Sequence, residues 1–181
     1  THRIEETVAR GICIGCGACS VATDGSIPLK LDPAKRIYQA ELTSAPRDAI
    51  RRGSRVCPFS DEAPNEVELG VPSGATSLAK HNLLGSYLGT YAGRVSDEDY
   101  LRASSSGGLA SWFAQRLVAE ALVDAVISVG RSQDGEGELF RYQVSSSPAD
   151  RRSRKSHYYA ATLTECLGLV KASNLRFAVI G

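Results

Sequence analysis

The chain has 181 residues, of which 43% are hydrophobic and 23% are charged, and its formal net charge is +1. These values are ordinary for a globular protein of one domain, or of one domain with a small module. The near-neutral charge gives no electrostatic reason to bind nucleic acid, and the longest apolar stretch, residues 117–129, contains two acids and is too short for a membrane span.

The first feature in chain order is a cysteine-rich loop with C-x-x-C-x-x-C spacing. It contains Cys13, Cys16 and Cys19, with two glycines between them, and a later Cys57 is followed directly by proline. Three thiolates from one short loop and a fourth from a C-P pair are typical ligands of a [4Fe–4S] cluster. Because glycine lets the backbone approach closely, the interspersed glycines suit a loop that wraps around such a cluster. The pattern predicts one cluster bound by all four cysteines.

Two other interpretations of these cysteines are structural zinc and disulfide bonds. They are considered because the spacing departs from the bacterial ferredoxin pattern, in which a fourth cysteine would fall at position 23, which is Thr23 here. Structural zinc usually takes two separated ligand pairs, which the triplet does not resemble. Disulfides suit a secreted chain, but there are five cysteines and no signal sequence. Iron–sulfur ligation is therefore favoured, and the reduced thiols it needs predict a cytoplasmic protein.

Residues 1–80 are interpreted as an iron–sulfur module and a linker. Alternating apolar residues at 27–31 and 37–42, with a turn between them, predict a β-hairpin. A short helix is expected at 45–53, leading to the last cysteine ligand. Residues 61–80 are rich in Glu, Pro, Gly and Ser and are interpreted as the linker.

Residues 81–181 show strand and helix patterns in alternation, which predicts an α/β domain with a helix-flanked mixed sheet. The expected strands are 89–95, 123–129, 139–144 and 176–180, and the expected helices are 97–103, 109–120 and 162–173. The two longer helices carry apolar stripes expected to be buried against the sheet: Trp112, Phe113, Leu117, Leu163 and Leu167. Cys166 lies on the apolar face of its helix and is interpreted as a buried structural cysteine. The apolar run that ends at Gly181 predicts a further element after it.

A serine- and glycine-rich loop, residues 104–108, precedes the helix at 109–120. Backbone N–H groups and the helix dipole at such a position favour a phosphate or the electron-rich edge of a flavin. The alternative is an ordinary serine cap, with Ser106 as the candidate N-cap. A basic run at 151–158 is suited to an anionic cofactor tail, although such runs are usually solvated loops.

Taken together, four segments resemble the beta subunit family of coenzyme F420 hydrogenase/dehydrogenase. Relatives of this family include the formate dehydrogenase beta subunit and the ferredoxin-dependent 7-hydroxymethyl chlorophyll a reductase. The similar segments are the four cysteines with Pro58, S-S-G-G-L at 105–109, V-D-A-V-I at 123–127 and K-S-H-Y at 155–158. The cysteine spacing is common among iron–sulfur proteins, whereas its combination with the other segments is much more specific.

The resemblance implies a flavoprotein that holds FAD and one or two [4Fe–4S] clusters. It implies that the flavin site is lined by two segments, represented by Ser105, Ser106, Gly107, Gly108, Lys155, Ser156 and Tyr158. It also implies that 81–181 is the N-terminal part of an FAD-binding domain, with the substrate-binding part and the site of any second cluster beyond Gly181.

The implied activity is that of an iron–sulfur flavoprotein oxidoreductase subunit. FAD would exchange hydride with coenzyme F420 or another organic substrate, and the cluster would pass single electrons. The expected partners are an electron-carrier protein or a partner oxidoreductase subunit, together with the small-molecule hydride donor or acceptor, and neither nucleic acid nor membrane. Two alternatives stay open: a non-catalytic, ferredoxin-like electron-transfer module and a flavin-free scaffold.

Overall fold

In a computed structural model of the protein, residues 1–69, 78–132, 139–147 and 159–180 are described. Over these residues the fold is mixed α/β, with several short helices and three small sheets. The α/β class predicted from the sequence is therefore confirmed at this level.

The N-terminal part contains helices packed around one hairpin. In chain order its elements are α1 (Ile4–Ala9), α2 (Ala18–Ala22), β1 (Leu29–Asp32), β2 (Ile37–Ala40), α3 (Arg47–Ser54) and α4 (Glu66–Leu69). The strands pair antiparallel, with Leu29 opposite Ala40, as expected for the predicted hairpin. Ile4, Ile27 and Ala49 form a small core with two of the cysteines, so this core lies directly beneath the cysteine loop.

A second hairpin follows, and it was not predicted. Strands β3 (Ala79–His81) and β4 (Gly85–Tyr87) pair antiparallel within or just after the segment interpreted as a linker. The strand expected at 89–95 is wrong, because the structure assigns these residues to no regular element. The segment contains two glycines. At its end, the backbone N–H of Val95 donates a hydrogen bond to the carbonyl of Gly107, at 2.8 Å.

The C-terminal part is a three-stranded mixed sheet with helices. Its elements are α5 (Glu98–Arg102), α6 (Leu109–Ala119), β5 (Ala125–Arg131), β6 (Phe140–Ser145), α7 (Thr164–Ala172) and β7 (Phe177–Ile180). The strand order is β6-β5-β7, with β5 antiparallel to β6 and parallel to β7. The mixed sheet and all six elements agree with the sequence prediction to within a few residues.

The predicted apolar core of this part is wrong for the two aromatic residues. Phe113 is 55% exposed and Trp112 is 37% exposed, and they contact each other edge to face with ring centroids 5.2 Å apart. Leu117, Leu163 and Leu167 are only partly buried. The buried residues of α6, α7 and the central strand are instead Ala114, Cys166, Ala125, Val126 and Ile127. Among the described residues, part of the apolar face of α6 is therefore in contact with solvent.

This burial pattern predicts unequal costs for two truncations. Ile127 is fully buried on the central strand, so Ile127→Ala should lower the free energy of unfolding by about 2–5 kcal/mol. Phe113→Ala should cost clearly less than the roughly 3–5 kcal/mol typical of a buried phenylalanine, because more than half of the side chain already contacts solvent. Urea denaturation of both variants tests this. Equal losses of stability would show that Phe113 is covered in solution.

Candidate functional site

The four candidate ligand cysteines lie around one cavity in the N-terminal part. Cys13, Cys16, Cys19 and Cys57 all line it, together with residues from α1, from the first hairpin and from the segment after α3. The rest of the lining contains glycines, apolar side chains, Pro58 and one threonine, and no charged side chain. The structure therefore brings the distant Cys57 to the same cavity as the cysteine triplet.

Two glycines in the cysteine loop occupy positions that a larger residue could not. Gly15 has a φ of +67°, and a Cβ there would lie 2.5 Å from the carbonyl oxygen of Tyr38. Gly17 has a φ of +88°, and a Cβ there would lie 2.2 Å from Oγ1 of Thr164. At both positions the backbone is left-handed, and a neighbouring atom lies where a side chain would be. The missing side chain lets the loop lie against the hairpin at Gly15 and against the start of α7 at Gly17.

The electrostatics of the cavity oppose free thiolates. Burial, reinforced by the neighbouring cysteines, raises the pKa of Cys19 to about 12 and also raises the pKa of Cys16. In the opposite sense, the backbone N–H of Ala18 acts to lower the pKa of Cys16, and that of Ser20 acts to lower the pKa of Cys19. The described residues that line the cavity include no cationic side chain to offset the charge of an ionised sulfur.

The thiols do not form a compact single-ion site. Over residues 1–69, 78–132, 139–147 and 159–180, no group of three or more His, Cys, Asp or Glu side chains is arranged to hold one metal ion. All five cysteines are free thiols rather than disulfides. Cys166 is buried on α7, where desolvation raises its pKa, and it does not line the cysteine cavity. Its burial agrees with the structural role predicted for it.

The serine-glycine loop forms the rim of a second, open cavity at the start of α6. That cavity is lined by Gly93 and by residues 104–111. The expected N-cap, Ser106, is wrong: Gly108 is the N-cap, and no side chain caps the helix. Ser104 instead donates its hydroxyl hydrogen to the carbonyl of Tyr100, at 3.0 Å. No serine hydroxyl therefore caps the backbone N–H groups at the start of α6.

The other predicted flavin segment cannot be compared with the structure. Lys155, Ser156 and Tyr158, and the basic run around them, lie outside the described residues. The described chain resumes at position 159 and reaches α7 five residues later.

A contact between the cysteine loop and the start of α7 escaped the sequence analysis. The backbone N–H of Leu163 donates to the carbonyl of Cys16, at 3.1 Å. Lys171, near the end of α7, donates to a carboxylate oxygen of Asp24 at 2.6 Å. The pairs are separated by more than 140 positions, so no local sequence pattern could have revealed them.

The helices of the structure give no indication of a membrane span. Across the described ranges, with their gaps at 70–77, 133–138 and 148–158, none is both long and apolar enough to cross a bilayer.

Comparison with known families finds one match, which covers less than half of the chain. Residues 90–168 match the family described as coenzyme F420 hydrogenase/dehydrogenase, beta subunit N-term. The resemblance predicted from the sequence is therefore confirmed, over a segment that includes the serine-glycine loop and begins after the four cavity cysteines. The family is one of oxidoreductase subunits, which indicates a role connected with electron transfer. A comparison with curated proteins finds no match.

Proposed function

We propose that the protein is an iron–sulfur flavoprotein oxidoreductase subunit that passes electrons between a [4Fe–4S] cluster and FAD. The observation that carries this proposal is the uncharged cavity lined by all four predicted cysteine ligands. The second support is the family match, which covers the loop proposed to contact the flavin.

The chemistry of the cysteine cavity fits an iron–sulfur cluster. Cys13, Cys16, Cys19 and Cys57 supply the four sulfur donors that a cubane requires. A cubane binds each thiolate at a different iron, so its ligands need not converge as closely as those of one zinc ion. The iron would also provide the positive charge that the buried sulfurs lack, and the backbone N–H groups of Ala18 and Ser20 favour the charged form of two of them.

The serine-glycine loop fits an anionic or electron-rich ligand. Ser105, Ser106, Gly107 and Gly108 lie at an open cavity, and they precede a helix of eleven residues that has no side-chain cap. Backbone donors at a helix start stabilise negative charge. With Lys155, Ser156 and Tyr158, these residues are proposed to hold FAD.

The proposed chemistry divides between two sites. Bound there, a flavin supplies hydride exchange with coenzyme F420 or another organic molecule, and a cluster supplies one-electron transfer. The residues of the cysteine cavity hold and shield the sulfurs, while the loop at α6 orients the flavin. The family name supports a partner oxidoreductase subunit, and an electron-carrier protein would serve the same role. The thiolate ligands favour a reducing compartment such as the cytoplasm.

Anaerobic purification of the natural full-length protein tests this proposal. Iron, acid-labile sulfide and flavin should be quantified on one sample, with an absorbance spectrum. About one cubane and one FAD per chain are expected. A cluster without flavin would instead favour the electron-transfer module, and neither cofactor would favour the scaffold. Zinc without sulfide would contradict the cluster assignment.

A further inference from the structure

We infer that a turn formed by Thr162, Leu163 and Thr164 positions the ligand loop at Cys16 and thereby helps to set the reduction potential of the cluster. This inference rests on the proposed function, because it concerns the cluster proposed for the cysteine cavity. The turn immediately precedes the body of α7 and so belongs to the C-terminal part of the fold.

The first contact fixes the peptide that follows Cys16. Leu163 N–H donates to the carbonyl of Cys16 at 3.1 Å, so the orientation of the peptide joining Cys16 to Gly17 is held by a residue nearly 150 positions away. Two residues further on, the backbone N–H of Ala18 interacts with the sulfur of Cys16 and favours the charged form of that thiol. The turn therefore acts on the backbone that carries this N–H···S interaction.

The second contact is steric and lies at Gly17. This residue is buried, and a Cβ added to it would come within 2.2 Å of Thr164 Oγ1 and 2.8 Å of Thr162 Oγ1. The turn is itself braced: the two hydroxyl oxygens lie 2.7 Å apart, and Thr164 N–H donates to Thr162 Oγ1 at 3.2 Å. The threonine side chains that face Gly17 are therefore held in place by hydrogen bonds to each other and to the backbone.

A third contact holds the far end of α2. Lys171 donates from Nζ to Asp24 at 2.6 Å and to the carbonyl of Val21 at 3.2 Å, and the bond to Asp24 lowers the pKa of that carboxyl. Helix α2, which carries Cys19, is thus attached to the α7 region at both ends. A displacement of α7 would move two cluster ligands together.

These contacts bear on the potential through the N–H···S interaction. Reduction adds one negative charge to the cluster, and an N–H dipole aimed at a ligand sulfur stabilises that charge. If the Cys16–Ala18 backbone is pushed away from its present orientation, this stabilisation weakens. The potential should then become more negative, even if all four sulfurs remain bound.

Two glycines of the same module provide a matched test. Gly17→Ala and Gly25→Ala both place a methyl group at a positive φ, +88° and +80° respectively. The first meets the threonine turn, whereas the second has no atom within 4 Å. In an anaerobic redox titration followed by electron paramagnetic resonance, Gly17→Ala should make the one-electron reduction at least tenfold less favourable, about 59 mV. Gly25→Ala should leave the potential at its wild-type value.

Two further variants separate the contact from general damage. Thr164→Ala in the Gly17→Ala background removes the nearest oxygen and should restore part of the potential. Thr162→Val keeps the shape of the side chain but removes the acceptor of Thr164 N–H, so it should shift the potential in the same direction even if Gly17→Ala does not fold.

The outcomes distinguish this inference from the proposed function. Wild-type protein without iron and sulfide contradicts the proposed function, and the inference fails with it. If the wild type holds its cluster, an unchanged potential in Gly17→Ala and Thr162→Val contradicts the inference alone. The inference is equally contradicted if Gly25→Ala shifts the potential as much as Gly17→Ala does, because backbone strain would then explain both shifts.

Discussion

Replacing any one of the four cavity cysteines with serine is expected to remove most of the bound iron. A serine hydroxyl is a poor substitute for a thiolate, and each of Cys13, Cys16, Cys19 and Cys57 lines the same cavity. Metal binding in such a site also contributes folding free energy, so the N-terminal module should lose stability together with its cluster. Iron and sulfide analysis, with thermal unfolding under anaerobic conditions, measures both effects.

Cys166→Ser provides the internal control for this experiment. Cys166 is as buried as Cys19 and Cys57 but lies on α7 and does not line the cavity. The variant should keep its iron and its visible spectrum, and any loss of stability should reflect burial of a hydroxyl alone. Loss of the cluster in Cys166→Ser, or its full retention in one of the four cavity variants, would contradict the ligand assignment.

The parts of this fold that could be predicted depend on short-range patterns. The first hairpin follows from alternation and a turn, and α6 begins at the predicted residue because its apolar spacing starts directly after the glycines. Convergence of Cys57 on the cysteine loop could also be expected, since four-cysteine ligation requires it. In each case the local pattern or the ligand chemistry of a few residues was enough to predict the structure.

The failures come from packing between distant segments. Periodicity identifies an apolar face on α6, but it cannot tell that Phe113 on that face is more than half exposed. Residues 89–95 have strand-like composition, yet within the described part of the chain no strand lies beside them to form a ladder. Gly17 lines the cysteine cavity, but the pattern could not show that a Cβ there would meet Thr164, which is 147 positions away in the sequence.

The family match and the cysteine cavity support different halves of the functional proposal. The match begins at residue 90, so it bears on the loop at α6 and not on the cavity. The cavity depends on residues 4–59 and stands on ligand chemistry alone. The contact between Cys16 and Leu163 joins these halves, since Leu163 lies inside the matched segment. A subunit that transfers electrons between two cofactors requires a fixed distance between them, and this contact would help to fix it.

Gly107→Val is expected to reduce flavin binding at least tenfold, about 1.4 kcal/mol, while the iron content stays at the wild-type level. Gly107 lies in the loop that lines the cavity at α6, and a Cβ there would already be 3.3 Å from the carbonyl oxygen of Gly93 on the facing segment. The two extra methyl groups of valine would fill the approach to the backbone N–H groups at the helix start.

Gly168→Val is the matched control, because a Cβ at that position on α7 meets no atom within 4 Å. It should change neither flavin nor iron content, and it should not lower helix stability, because valine is a better helix former than glycine. Both quantities should be measured on the same anaerobic sample of the full-length protein, with flavin affinity taken from fluorescence titration. If Gly107→Val binds flavin as tightly as the wild type, the loop does not contact the cofactor. If it loses iron as well, the substitution has disturbed the fold rather than the flavin site.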